Sequence, residues 1–311
     1  MFKLNWKHLG LTVGLSLTLF AAGCGSNNDA GETNKDNDDK ANQEVNIGKE
    51  VGYKIIGIEA GAGVVKATEN ALEEYDNLKG WKVDTSSSGA MATALGQAIK
   101  KEEPIIVTGW TPHWKFAKYD LKYLEDPKEV YGGEESIKTM VRKDLEKSAP
   151  NAYKILDNFH WTPEDMESVM LAREEGTSIE DAAKTWVKEN EEKVNEWIDG
   201  ISQADGEEIE LVYVEWDSEI ASTNVIGEVL RQQGVKVKLT PLDNAIMWQS
   251  VANGEADAMV AAWLPATHGD LYEEYKDKLV DLGNNLEGAK IGMVVPAYMD
   301  INSIEDLEPA K

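Results

Sequence analysis

Three tryptophans stand where an aromatic side chain can do more than pack: Trp110 in Trp110-Thr-Pro112, Trp263 in Trp263-Leu-Pro265, and Trp216 directly after Glu215. Each falls at the carboxyl end of an apolar, strand-like run or in the loop just beyond it. An indole face attracts a cation through its quadrupole, by ~2 kcal/mol or more for a desolvated contact. A quaternary ammonium has no N–H, so hydrogen bonds cannot select it, whereas a cage of aromatic faces can. Any one of these residues alone would be read equally well as a cap on a sheet; three at comparable strand ends point to a cage for a methylated cation. The chain has ten tryptophans against four phenylalanines, a skew that a buried core does not call for. Trp81, Trp186, Trp197 and Trp248 lie in or beside regular elements and read as packing, and Trp161 reads as a staple before a helix. Trp114 falls beside His113, just beyond the Trp110 strand.

A site for an anion adjoins the first of these strands. Gly61-Ala-Gly63 closes a strand and opens a helix at Val64. Backbone N–H groups at a helix start point outward and carry partial positive charge, and Gly63 would let the backbone approach a ligand closely. His268, five residues past Trp263, would add a hydrogen-bond donor, although a loop histidine taken alone is more often incidental. A competing chemistry uses Glu59 and Glu215 at equivalent strand ends: two carboxylates beside tryptophans could serve a carbohydrate-active enzyme. The plainer reading is that these acids accept hydrogen bonds from turns or line an interface.

The elements that must position these residues form a repeated β-α-β-α-β unit. The first copy runs through Lys54-Ile-Ile-Gly-Ile-Glu59, a helix from Val64 to Tyr75, Trp81-Lys-Val-Asp84, a helix through Met91, Leu95 and Ile99, and Ile105-Ile-Val-Thr-Gly-Trp110. The second runs through Glu210-Leu-Val-Tyr-Val-Glu215, a helix through Ile220, Val225, Val229 and Leu230, Val235-Lys-Val-Lys-Leu239, a helix from Ile246 to Val251, and Ala258-Met-Val-Ala-Ala-Trp263. Alternation of apolar strands with helices implies parallel sheets covered on both faces, and such sheets bind ligands outside the carboxyl ends of their strands. Residues 119-143 read as two extended segments that cross between lobes, 150-201 as helical, and Ile291-Gly-Met-Val-Val-Pro296 as a further strand. The expected fold is α/β, a two-lobed clamshell in which each lobe is a mixed, mostly parallel sheet flanked by helices. The expected boundaries are 51-205 for the first lobe, 206-290 for the second, and 291-311 for a crossover strand and tail.

Composition excludes several classes. Lys and Arg total 31 against 57 Asp and Glu, a formal charge of −26. Such a surface repels phosphate backbones, so nucleic acid is excluded as a partner. With one cysteine and four scattered histidines, neither a disulfide nor a metal cluster is expected, and no cofactor is implied. The zinc-protease, phosphate-loop and nucleophile-elbow motifs are missing from the sequence.

The first residues read as an address. Lys3 and Lys7 precede an apolar run from Leu9 to Ala22, which ends in Ala21-Ala-Gly23 before Cys24. This is a secretory signal over 1-23, and the run is short of the ~20 apolar residues of a membrane span. Cys24 stands where bacterial lipoproteins carry their acylated thiol, with Ala21 where that pattern has leucine. Residues 24-50 are dominated by Gly, Ser, Asn, Asp, Glu and Lys, a composition that cannot bury enough surface to fold and reads as a flexible tether.

The segments Ile56-Gly-Ile-Glu-Ala-Gly-Ala-Gly63, Ile106-Val-Thr-Gly-Trp-Thr-Pro-His-Trp114, Glu215-Trp-Asp-Ser-Glu-Ile-Ala-Ser-Thr223 and Ala262-Trp-Leu-Pro-Ala-Thr-His268 resemble the glycine betaine-binding lipoproteins of OpuA-type bacterial ABC importers. The resemblance runs from about Lys54 to the C-terminus, with the lobe order of that family rather than of the enteric periplasmic betaine binders. It implies a type II periplasmic-binding-protein fold, no enzymatic activity, and a role in osmoprotection. Trp110, Trp216 and Trp263 would form an aromatic prism around the trimethylammonium group. The carboxylate would be held by the backbone N–H groups of Gly63 and Val64 and by the His268 side chain. Proline betaine is a second candidate ligand. The implied partners are a membrane permease and a cytoplasmic ATPase, with the binding protein lipid-anchored at Cys24 on the extracellular face of the cell membrane.

Overall fold

The computed structural model describes residues 46–310. The signal over 1-23, Cys24 and most of the tether expected over 24-50 lie outside the described residues, and the end of that tether is instead ordered, with Asn46 capping a helical turn and Ile47 packed on the core. After a single-turn helix α1 (Ile47–Glu50), the first repeat folds as β1 (Lys54–Ile56), α2 (Gly63–Glu74), β2 (Lys82–Asp84), α3 (Ser88–Lys101) and β3 (Val107–Thr111). A short helix α4 (Trp114–Lys118) and strands β4 (Leu121–Tyr123) and β5 (Glu135–Arg142) follow. The helical segment contains α5 (Leu145–Ser148), α6 (Pro150–Asn158), α7 (Pro163–Glu174), α8 (Ile179–Glu189) and α9 (Glu191–Ile198). The second repeat is β6 (Glu208–Tyr213), α10 (Asp217–Gln232), β7 (Lys236–Pro241), α11 (Asn244–Asn253) and β8 (Ala258–Leu264), and the chain continues through α12 (Gly269–Tyr275) into β9 (Leu279–Pro296).

Local chemistry sets the helix starts. Ser87 caps α3 by accepting from the Ala90 N–H. Thr162 and Asp165 form a reciprocal capping box on α7, with Pro163 in its first turn, where the missing proline N–H costs nothing. β8 is buried along its whole length, as a strand covered on both faces must be.

The repeat is visible in the strand order β2-β1-β3-β9-β5-β8-β6-β7. β1 lies between β2 and β3 and is parallel to both; β6 stands in the same relation to β7 and β8. An antiparallel strand then flanks each triplet, β9 beside β3 and β5 beside β8. The 18-residue β9 joins the halves. Up to Ala289 it pairs with β5, from Lys290 to Val294 with β3, and from Val294 to Pro296 also with β4. The chain therefore passes between the two units within β9 and again between β4 and β5. The strand expected from Ile291 to Pro296 is the last part of this longer strand.

The boundary at 205 groups the helical segment with the first lobe, whereas α7 and α8 pack against α10 of the second unit. The physical reason is that α10 is buried nearly all round: the sheet covers one side, so helices must cover the other. Within this segment Phe159, Trp161, Trp186 and Trp197 form an aromatic cluster with ring centroids 4.9–5.9 Å apart, the packing role expected for the three tryptophans. No helix among the described residues is long and apolar enough to cross a membrane.

Candidate functional site

Parallel pairing within each triplet brings the carboxyl ends of β3 and β8 to the junction of the two units. Trp110 and Trp263 lie near those ends, and Trp216 follows β6 as the residue before α10. All three line one cavity together with Gly63, Val64, Ser218 and Thr267; Ile58, Ala62 and Ile291 complete its apolar wall.

Each indole N–H is already engaged by a protein side chain. Trp110 Nε1 donates to Ser218 Oγ at 3.2 Å, Trp216 Nε1 to Glu59 Oε2 at 3.1 Å, and Trp263 Nε1 to Glu219 Oε1 at 2.7 Å. These bonds fix the ring planes, so π-surface is what the rings offer to a guest. Two of them, Trp110–Ser218 and Trp216–Glu59, join the first repeat to the second. Asp217 adds two further links, lying 3.4 Å from Ser88 Oγ and 3.4 Å from His113 Nε2, while Arg173 Nη1 holds its other oxygen at 2.7 Å. The two units are shut over the cavity.

The anion side is partly as expected. α2 begins after Ala62, which supplies no side-chain cap, and the Gly63 and Val64 N–H groups donate to no protein atom among the described residues. These are the free donors of a helix start. The need for glycine at 63 has a different cause from the one expected. A Cβ there would lie 2.4 Å from Thr267 Cγ2 and 2.5 Å from Thr267 O, so its close approach is to the opposing loop. Glu135 fixes that loop by accepting from the Ala266 and Thr267 N–H groups, both at 2.8 Å, and from the Thr267 hydroxyl.

His268 does not line the cavity. Its Nδ1 accepts the Trp263 N–H at 3.1 Å, and its ring lies nearly parallel to Trp216 with centroids 6.3 Å apart. Burial pushes it down to about 3, so it is neutral and its proton sits on Nε2. That nitrogen is buried without a protein partner among the described residues. Glu59 and Glu215 do not form a pair. Glu59 accepts from Trp216 and from the Ser88 N–H at 3.2 Å, and Glu215 is exposed and outside the cavity wall.

Two buried ionisable residues escaped the sequence reading. Glu219, in the first turn of α10, is fully buried and pushed up to about 7 by desolvation, which its bonds to Ser218 and Trp263 oppose. Lys115 lies in α4. Its ammonium lies buried 4.0 Å from the Trp110 ring centroid, and burial pushes it down to about 7. The only sequence signal for Glu219 was its place three residues after Trp216; Lys115 had none.

A family model described as the substrate-binding domain of the ABC-type glycine betaine transport system, OpuAC, matches residues 30–189 and 207–311. The chain belongs to this family. The glycine betaine/carnitine transport binding protein GbuC of Listeria monocytogenes serotype 1/2a (strain 10403S) is 50% identical over 311 residues, covering 98% of this chain and 99% of that protein. Among solved structures, lactococcal OpuAC in its closed-liganded conformation with glycine betaine shares 54% identity at a TM-score of 0.47, over 48% of this chain and 59% of that one. The Borrelia burgdorferi glycine betaine/L-proline-binding protein ProX shares 36% at a TM-score of 0.44, over 48% and 57%. As an OpuAC-family protein, the chain is the extracellular substrate-binding component of an ABC importer with a type II binding-protein fold, and it works with a permease and an ATPase. It is not an enzyme, and the reading built on Glu59 and Glu215 has no support.

Proposed function

We propose that this protein captures glycine betaine for osmoprotection, holding the trimethylammonium group among Trp110, Trp216 and Trp263 and the carboxylate at the start of α2. The observation that carries this reading is a single apolar cavity faced by three indoles whose N–H groups are all engaged by protein side chains. Such a site offers almost nothing to a hydrogen-bonding cation and favours a methylated one. The free N–H groups of Gly63 and Val64 adjoin it and suit the opposite end of a small zwitterion. The lobes would open and close about β9 and the link between β4 and β5.

Competition calorimetry with glycine betaine, proline betaine, carnitine and choline tests the proposal. Betaine binds in the expected result, and choline, which lacks the carboxylate, binds more weakly; a failure of betaine to bind overturns it. The family resemblance assigns His268 a third carboxylate contact, which its ring, lying outside the cavity wall, would have to turn to make. His268→Ala is expected to weaken betaine by ~1 kcal/mol or more and to leave tetramethylammonium nearly unchanged, whereas equal losses for both ligands would remove the carboxylate contact.

Anchoring through acylated Cys24 is part of the same proposal, supported by the signal-like residues before it. Cys24→Ser should move the protein from the membrane fraction to the medium; unchanged membrane retention would refute the anchor.

A further inference from the structure

Lys115 lies in the first turn of α4, fully buried, with no hydrogen-bond partner for its ammonium among the described residues. The ammonium sits 4.0 Å from the Trp110 ring centroid and 5.8 Å from that of Phe116. Trp110 lines the cavity and Lys115 does not, so the indole separates this cation from the guest's place. Glu219 meets the cage differently, at the N–H edge of Trp263. It too is buried and outside the cavity wall, bound to Trp263 Nε1 at 2.7 Å and to Ser218 Oγ at 2.5 Å. That same hydroxyl accepts the Trp110 N–H.

An aromatic ring has one quadrupole shared by two faces. A cation on the rear face draws on the density that a cation in front would use, and the two also repel directly through a low-dielectric interior. A carboxylate hydrogen-bonded to an indole N–H acts in the opposite sense. We propose that Lys115 over the Trp110 ring and Glu219 at the Trp263 N–H determine the affinity of the cage for a cationic head, Lys115 opposing it and Glu219 favouring it. This rests on the reading that the cavity takes a quaternary ammonium.

The groups facing this pair are few. On α10, burial works to raise the Asp217 carboxyl, but nearby His113, Arg173 of α7 and Lys115 outweigh it and hold the group below the usual carboxylate range. His113 packs edge-on to Trp110 at 4.7 Å and is pushed down to about 4 by burial. Glu167 of α7 accepts the His113 N–H at 3.3 Å, and burial raises its carboxyl above the usual range. His113 therefore stays neutral and Asp217 ionised near neutrality, while Lys115 and Glu219 both titrate at about 7. As pH rises through that value, the groups around the cage lose a positive charge and gain a negative one. A cationic guest then binds better, and by reciprocity its binding expels protons.

The test uses the full chain, with tetramethylammonium as the probe of the headgroup alone and betaine as the complete ligand. Wild-type affinity for tetramethylammonium is expected to rise about tenfold between about pH 5.5 and about pH 8.5. Calorimetry at about pH 7 in buffers of different ionisation enthalpy should show net proton release. Lys115→Met should bind about fivefold tighter than wild type at the acid end and match it at the alkaline end. Glu219→Gln should bind more weakly than wild type at the alkaline end. A flat wild-type profile without proton release, or a Lys115→Met protein no tighter than wild type at low pH, overturns the inference. If neither variant folds, the wild-type profile and proton count decide it alone. Wild-type protein that binds no quaternary ammonium at any pH would instead remove the functional reading beneath it.

Discussion

Trp263→Ala is expected to weaken glycine betaine binding by ~2 kcal/mol or more, about thirtyfold in Kd. The change removes one aromatic face from the cavity, and it also frees Glu219 Oε1, which accepts the Trp263 N–H at 2.7 Å. A buried carboxyl that loses its donor is costly. The side chain is itself buried, so the folded state should also lose roughly 3 kcal/mol. Trp263→Phe separates these effects, because it keeps a ring but not the N–H, and it should lose less affinity than alanine. Isothermal titration beside thermal unfolding gives both quantities. A folded Trp263→Ala protein that binds betaine as tightly as wild type would rule out the cage. Trp110→Ala and Trp216→Ala should each lose at least ~1 kcal/mol by the same argument.

Gly63→Ala is expected to reduce affinity at least about tenfold while leaving the unliganded protein as stable as wild type. An added Cβ would sit 2.5 Å from the Thr267 carbonyl oxygen across the junction. The Thr267 backbone cannot yield easily, since Glu135 grips the Ala266 and Thr267 N–H groups. If the units part as proposed, an open protein would have no such conflict, and alanine suits a helix start at least as well as glycine. The cost should then fall on closure, the state that holds the Trp110–Ser218 and Trp216–Glu59 bonds. Small-angle scattering would follow it directly: wild type should contract when betaine is added and Gly63→Ala should not. Normal contraction with wild-type affinity would show that the junction has more room than the structure gives it.

The repeat was legible because both copies carry the periodicities of strands and helices, and because β-α-β units can pair their strands in few ways. Strand-end tryptophans followed by Pro112 and Pro265 marked the cage, since a parallel sheet always presents its carboxyl ends to ligands. The 18-residue β9 was only partly legible. The sequence reading named only its last part, from Ile291 to Pro296, because the polar residues around Asn284 and Glu287 lack a strand pattern, yet pairing with β5 holds them in the sheet. The direction of His268 was not legible either, because a ring's orientation depends on the Trp263 N–H it meets.

What the sequence determined by itself is the inventory: two α/β units, three indoles at their strand ends and a helix opening at Val64 after Gly61-Ala-Gly63. These follow from local periodicity and from rules of sheet topology, which act over short spans of chain. Only the tertiary structure decided the contacts between units: Thr267 against Gly63, Ser218 under Trp110, Glu59 on Trp216, and the burial of Lys115 and Glu219. Partners such as Glu59 and Trp216 are 157 residues apart in the chain, and no local pattern encodes a distance that exists only once the two units have packed together.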